Sequence, residues 1–326
     1  MNPISLTASR GRSLPGLLGG LVYLLCLVGL SRTGLAQTPT DWIPAPPQGA
    51  APIAVDAGDP PARIGRIAWI SGRVELSNGG ELWPAELNWP VSSGQVLVTG
   101  HSGRVELRIA SASVRLAGDS ELWVRQLDDE SVVLDLRHGT LSLTARNHEW
   151  IRELQLATPR ARIELLAPGR YRLESGPDFT RLGVAQGEGR LLAQRMSFTV
   201  RAGESGNFIE APQSYPSFQI AAWRADALDD WAVTRDLREE QAASARYVSP
   251  EMPGVEVLDD YGRWQTLSEF GNVWFPDSVT VGWAPYRSGR WVWISPWGWT
   301  WIDTAPWCQA TRRFNPLTTS GIDPLG

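Results

Sequence analysis

The sequence contains no lysine; all 30 of its basic residues are arginine. It has only two cysteines, Cys26 and Cys308, and three histidines, His101, His138 and His148. Each scarcity excludes something. Cys26 lies in an apolar N-terminal run, so a chain freed of that run keeps one cysteine, which forms neither an internal disulfide nor a thiolate zinc site. The histidines sit singly beside turn residues, without metal-ligand spacing and without a Gly-x-Ser-x-Gly elbow. A serine or cysteine nucleophile therefore has no evident base. These patterns suggest no catalytic residue, no metal and no cofactor. No block of like charge occurs and the formal charge is −5, which argues against nucleic acid as a partner. An all-arginine balance fits a GC-rich coding bias, although each guanidinium can still pair bidentately.

What the sequence does have is tryptophan, 17 in all. Seven fall in Val281–Trp307: Trp283, Trp291, Trp293, Trp297, Trp299, Trp301 and Trp307. The period of two in Trp291/Trp293 and in Trp297/Trp299/Trp301 places each group on one face of an extended strand. The stretch also repeats an earlier one at an offset of 27 residues. Gly262-Arg263-Trp264 falls on Gly289-Arg290-Trp291, Trp274 on Trp301, and Phe270-Gly271 on Trp297-Gly298.

The one long apolar run is Leu14–Leu30, preceded by Arg10 and Arg12 and followed by Gly34-Leu35-Ala36. That arrangement predicts a signal peptide over 1–36, cleaved near Ala36, and hence an exported protein of the periplasm or cell envelope. The rival reading is an uncleaved anchor, the only route by which this chain would associate with a membrane. Removing Arg10, Arg12 and Arg32, with no acid among the first 36 residues, leaves 27 arginines against 35 acids, a net −8. Residues 37–62 are rich in Pro and Ala without apolar periodicity and read as a linker.

From 63 to 210 the texture is short alternating segments broken by Gly, Ser, Asp and Asn. They run from Ile64–Ile70 and Arg104–Ile109 through Val132–Arg137 and Thr140–Ala145 to Phe198–Arg201. In Val105-Glu106-Leu107-Arg108-Ile109 the apolar side chains face one way and the charged ones the other. This predicts a mainly β fold, a short-strand sandwich or solenoid with one wet face. Asp128-Asp129-Glu130 reads as a polar hairpin tip in preference to a calcium ligand set.

These segments resemble the periplasmic FecR domain. The likeness lies in Gly65-Arg66-Ile67, Ser71-Gly72-Arg73-Val74, Val91 to Thr99, Ser102 to Leu107, Val114 to Ala117 and Gly139-Thr140-Leu141, with Thr158-Pro159 to Glu204 as the closing half. In the best-known members of that family the domain receives a signal from an outer-membrane transporter and passes it to a sigma factor. The relay uses a cytoplasmic anti-sigma segment ahead of a membrane helix. Here only about a dozen residues precede the apolar run, so the resemblance implies the sensing fold but not direct sigma-factor binding.

Residues 217–247 switch to helical period, with Trp223, Ala227 and Trp231 at i, i+4 and i+8. Asp226, Asp229 and Asp230 lie early and Arg235, Arg238 and Arg246 late, as the helix dipole favours. One bridging α-helix is predicted here, stopped by Pro250 and Pro253. Residues 248–307 form the Trp-rich β repeat region. Leu258 to Trp264, followed by the Gly-Arg-Trp and Pro-Trp-Gly-Trp-Thr-Trp stretches, resembles an extension that follows FecR-type domains in exported proteobacterial proteins, a group with no assigned activity. Residues 308–326 lack tryptophan and alternation and read as a divergent tail, disordered or out of frame.

Two functions compete for the aromatic region. Its rings are either the core of a small repeat, or in part a platform for a sugar chain or an envelope protein. The candidate binding residues are Trp264, Trp274, Trp283, Tyr286, Arg290, Trp291, Trp293, Trp297, Trp299 and Trp301. Asp259, Asp260, Asp277 and Asp303 are the carboxylates that a carbohydrate-active alternative would need. The leading expectation is a non-enzymatic binding or scaffolding module whose partner is an envelope protein or cell-wall glycan. A signalling regulator related to the FecR anti-sigma proteins is the further alternative.

Overall fold

The computed structural model describes residues 63–210, 212, 215–248, 254–279, 289–294, 298–303 and 312–313. The stretches expected to be a signal peptide and a linker lie outside the described residues. Among those described, no helix is long and apolar enough to cross a membrane. The chain divides into two compact units, one within Ala54–Leu237 together with Trp293–Gly298 and one within Arg238–Val292 and Trp299–Gly326.

The first unit is mainly β. It runs through β1 (Gly65–Ser71), β2 (Val74–Ser77), β3 (Leu82–Pro84), β4 (Pro90–Val91), β5 (Val96–Thr99), β6 (Arg104–Ile109), β7 (Ala112–Leu116) and β8 (Glu121–Leu127). Next come β9 (Val132–Ala145), the short helix α1 (His148–Glu153), β10 (Leu154–Ala157), β11 (Arg162–Leu165), β12 (Gly169–Ser175) and β13 (Phe179–Gln186). β14 (Glu188–Ala193), β15 (Met196–Arg201), β16 (Glu204–Ile209), β17 (Ser217–Ala222) and helix α2 (Ala227–Glu240) complete it.

The strands form two layers that share β9. One is ordered β4-β1-β6-β7-β9-β12-β13-β16-β17. The other is ordered β3-β2-β5-β8-β9-β10-β11-β14-β15. All these pairings are antiparallel except β9 with β10. The alternation sends one set of side chains from each layer into a single core. Leu107, Leu143 and Leu182 come from the first layer, and Leu97, Leu134 and Leu191 from the second.

Gly139 makes the sharing work. Two strands were expected, Val132–Arg137 and Thr140–Ala145, with a turn between them. The chain instead runs through as one 14-residue strand that changes layer at the glycine. Its first half pairs with β8 and its second with β7 and β12. Gly139 has φ +94°, and a Cβ there would lie 2.2 Å from Ser120 Oγ. Both the backbone twist and the close approach exclude a side chain.

The expected helix over 217–247 is shorter than predicted. Residues 217–222 are β17, paired residue by residue with β16 from Ile209↔Ser217 to Glu204↔Ala222. Phe218 and Ile220 carry the period of two that the spacing of Trp223, Ala227 and Trp231 concealed. Helix begins only at Ala227 and ends at Glu240, well before Pro250.

In the second unit a 3-10 turn (Ala243–Arg246) precedes a short helix, α3 (Val255–Tyr261). Four strands follow: β18 (Gly262–Leu267), β19 (Gly271–Pro276), β20 (Gly289–Ile294) and β21 (Gly298–Asp303). β18 and β19 form an antiparallel pair. β20, β21 and β22 (Arg312–Arg313) form a three-stranded sheet. β22 falls within the stretch expected to be a disordered tail and pairs with β21 through Thr300↔Arg313 and Trp301↔Arg312.

Candidate functional site

Two places in the chain concentrate chemistry. The first is the outer face of the first layer, where alternation predicted exposed charges. Glu106, Arg108, Arg115, Ser142, Thr144 and Arg172 point away from the core, yet all are buried. Helix α2 covers part of that face, and its own buried line is Leu228, Ala232 and Asp236 at i, i+4 and i+8. That line is turned by one residue from the predicted Trp223/Ala227/Trp231 stripe, and it ends in a carboxylate.

Asp236 meets a matching set of donors. Its Oδ1 accepts from Arg115 Nη2 at 2.7 Å and Arg146 Nη2 at 3.1 Å. Its Oδ2 accepts from Thr144 Oγ1 at 2.8 Å. Arg115, completely buried, also places Nε 3.5 Å from Glu106 Oε2, and Arg235 of α2 pairs with that same carboxylate. Charges withdrawn from water are tolerated only when paired in this way. Above them Trp231 packs on Trp69, ring centroids 4.9 Å apart. Nearer the start of α2, Arg172 Nη1 lies 2.5 Å from Asp229 Oδ2 and 2.8 Å from Asp226 Oδ2, and its guanidinium lies over the Trp223 ring. Burial lifts the Asp229 carboxyl above the usual carboxylate range, outweighing the opposing pull of the Asp226 backbone N–H and of Arg172. This is an electrostatic clamp: every charge described in it faces a partner.

The second place is the aromatic region. Trp264 and Trp274 are opposite each other across β18 and β19. Trp274 is 2% exposed and donates its indole N–H to the Leu258 carbonyl at 3.2 Å. Trp264 is half-buried, donates to Ser244 Oγ at 2.8 Å and stacks on Tyr247 with centroids 4.6 Å apart. With Leu258 and Val248 they make the core of this hairpin. Gly262 lacks a side chain for the same reason, because a Cβ there would stand 2.4 Å from the Trp274 indole.

The remaining candidates divide plainly. In β20, Arg290 is exposed and Trp291 half-buried. Trp293, Trp299 and Trp301 lie on the backbones of β20 and β21. Trp283, Tyr286 and Trp297 lie outside the described residues. β18 and β20 start at residues 262 and 289, and β19 and β21 at 271 and 298, so both pairs of strands keep the 27-residue offset read in the sequence.

The carboxylates considered for glycan chemistry are engaged internally where they are described. Asp259 accepts from the Ser244 backbone N–H at 3.1 Å, Asp260 pairs with Arg238 and Asp277 with Arg263. His101 is exposed, with Nδ1 2.7 Å from Asp119 Oδ2. At the β8–β9 tip, Asp128 takes hydrogen bonds from the Gln126 amide and from the Ser131 and Glu130 backbone N–H groups. These hold its carboxyl below the usual range, the Gln126 bond first, and they form the polar turn the sequence implied.

The members of the clamp were missed because a strand of alternating charge reads as wet. One signal was available: Asp236 stands in helical register with Leu228 and Ala232, where a solvent-facing helix would not repeat an apolar line.

The family of unknown function DUF6600 matches residues 255–318, which spans the two strand pairs and runs past Trp307. No curated protein matches the chain. Among solved structures it is similar to two crystal structures of a "putative anti-sigma factor" from Parabacteroides distasonis. One has 8% identity and TM-score 0.36, with 42% of this chain and 64% of that one covered. The other has 10% identity and TM-score 0.36, with 56% and 99% covered. This chain therefore spans under two thirds of the first of these.

Proposed function

We propose that this protein is an exported, non-enzymatic binding module of the cell envelope. In this reading the β unit, with its FecR-like texture, is the frame and the aromatic strands carry the ligand contact. The observation behind it is the division of labour among the tryptophans. Trp264 and Trp274 are consumed by hairpin packing and have partners for both indole N–H groups. Their counterparts 27 residues on are Trp291 and Trp301. The neighbouring cross-strand pair in the first copy is Thr266 and Asn272, joined by a side-chain hydrogen bond of 2.8 Å at the exposed end of the hairpin. The same offset carries these two positions onto Trp293 and Trp299. The second copy thus replaces a small polar pair with two indoles that the packing of the first copy does not require.

An indole face fits the C–H-bearing face of a sugar ring. A cell-wall glycan is therefore the ligand class proposed, with an envelope protein as the competing partner. Cosedimentation with purified peptidoglycan sacculi tests this. Binding by the native chain that is weakened at least about tenfold in the Trp293→Ala/Trp299→Ala variant supports it, a loss in keeping with about 1–3 kcal/mol per stacked ring. No binding to sacculi removes the glycan reading.

A further inference from the structure

The two layers have four edge strands, and three are guarded. β3 is three residues long and ends in Pro84; β4 is two residues long and begins with Pro90. β15 is flanked by Arg195 and closes with Arg201, both exposed. Short length, proline and arginine each discourage pairing with another chain. Within its own span β17 has none of these protections, and only Pro216, directly before its first residue, stands beside it. Ser217-Phe218-Gln219-Ile220-Ala221-Ala222 holds six residues with no charge and no proline, exposed throughout except at half-buried Phe218. It pairs on one side only, with β16, among the described residues. About half of its backbone N–H and C=O groups therefore point outward, as the antiparallel geometry requires.

We infer that β17 is a self-pairing edge, joining two copies of this chain antiparallel about a two-fold axis through Gln219. Self-complementarity of the sequence selects both the occupant and the register. An axis perpendicular to the sheet keeps each side chain on its own face, so residues of equal parity must meet. Centred on Gln219, Phe218 of each copy faces Ile220 of the other, Ser217 faces Ala221 and the two Gln219 amides face each other. An aromatic ring opposite a β-branched side chain is a favourable cross-strand pair, formed here twice. Centring on Ile220 would set Phe218 against Ala222 and lose both pairs. A one-residue slip would turn the apolar face outward. The seam is prepared for this contact. Phe218 is held by a parallel stack on Phe198, centroids 3.6 Å apart, and Ile220 stands 47% exposed beside it. With no charge along the strand, pairing with itself opposes no like charges.

One six-residue seam is smaller than the roughly 1,600 Å² of a standard stable interface, so the dimer is weak and depends on concentration. Sedimentation velocity on the full chain, from micromolar to sub-millimolar concentration, should show reversible monomer–dimer exchange. Gln219→Lys and Gln219→Glu leave an exposed position exposed, and circular dichroism checks that each variant folds. Each variant alone places like charges opposite one another and should raise the dimer dissociation constant at least about tenfold. An equimolar mixture of the two should restore association. The inference is overturned if the native chain stays monomeric throughout, if either variant alone associates as the native chain does, or if the mixture fails to restore association.

Discussion

At the residue scale the most consequential group is Asp236, which lies among Arg115, Arg146 and Thr144 beneath α2. Removing one partner of a buried ion pair leaves the other charge unanswered. Asp236→Ala is therefore expected to destabilise the first unit by about 3–5 kcal/mol in urea denaturation. Substituting an exposed charge such as Arg73 should change it by under about 1 kcal/mol. Asp229 gives a pH signature. Its carboxyl is raised by burial, so the folded state holds the proton more tightly than the unfolded chain. Its contribution to stability is then fully present below the ordinary aspartate range and is lost as pH rises through the folded value. Asp229→Asn should flatten that part of the stability–pH curve, measured as unfolding free energy across the acidic range. Of this, only the register of Asp236 with Leu228 and Ala232 was legible in the sequence. Glu106, Arg108 and Arg115 alternate with core residues as solvent-facing side chains do, and only the tertiary cover of α2 buries them.

At the scale of elements, local pattern was a good guide where pairing is local and a poor one where it is not. Arg104–Ile109 forms a strand with the limits that alternation predicted. The stretch before α2 was misassigned because two tryptophans and one alanine, Trp223, Ala227 and Trp231, suited a helix, while the shorter Phe218/Ile220 alternation was satisfied by β16. Gly139 was legible as a glycine that a turn would need, but its role at the change of layer depends on β7 and β12, remote in sequence. Gly139→Ala should destabilise the first unit by at least about 2 kcal/mol, combining a left-handed φ with the Ser120 contact. In the second unit, Trp274→Ala should cost about 3–5 kcal/mol of hairpin stability, as for other large-to-small core changes. Loss of its near-ultraviolet circular dichroism would report this.

At the scale of the molecule, the pattern revealed a mainly β chain followed by an aromatic repeat, but not how the strands connect. Two layers that share one strand are set by long-range registers, and no run of neighbouring residues encodes them. The aromatic region was legible as a whole and unresolved in its parts: ten candidates stood together until Trp264 and Trp274 proved to be packing groups. What distinguishes the copies is a substitution of residue type, Thr266 to Trp293 and Asn272 to Trp299 across the shared offset. The central claim is that the second pair binds while the first pair holds the fold. The most direct test compares native chain, Trp264→Phe and Trp293→Ala/Trp299→Ala in cosedimentation with peptidoglycan sacculi, each checked for its native circular dichroism. The account predicts that the native chain and Trp264→Phe bind alike, while the double variant stays folded and loses at least about tenfold in affinity. A folded double variant that binds as the native chain does would contradict it.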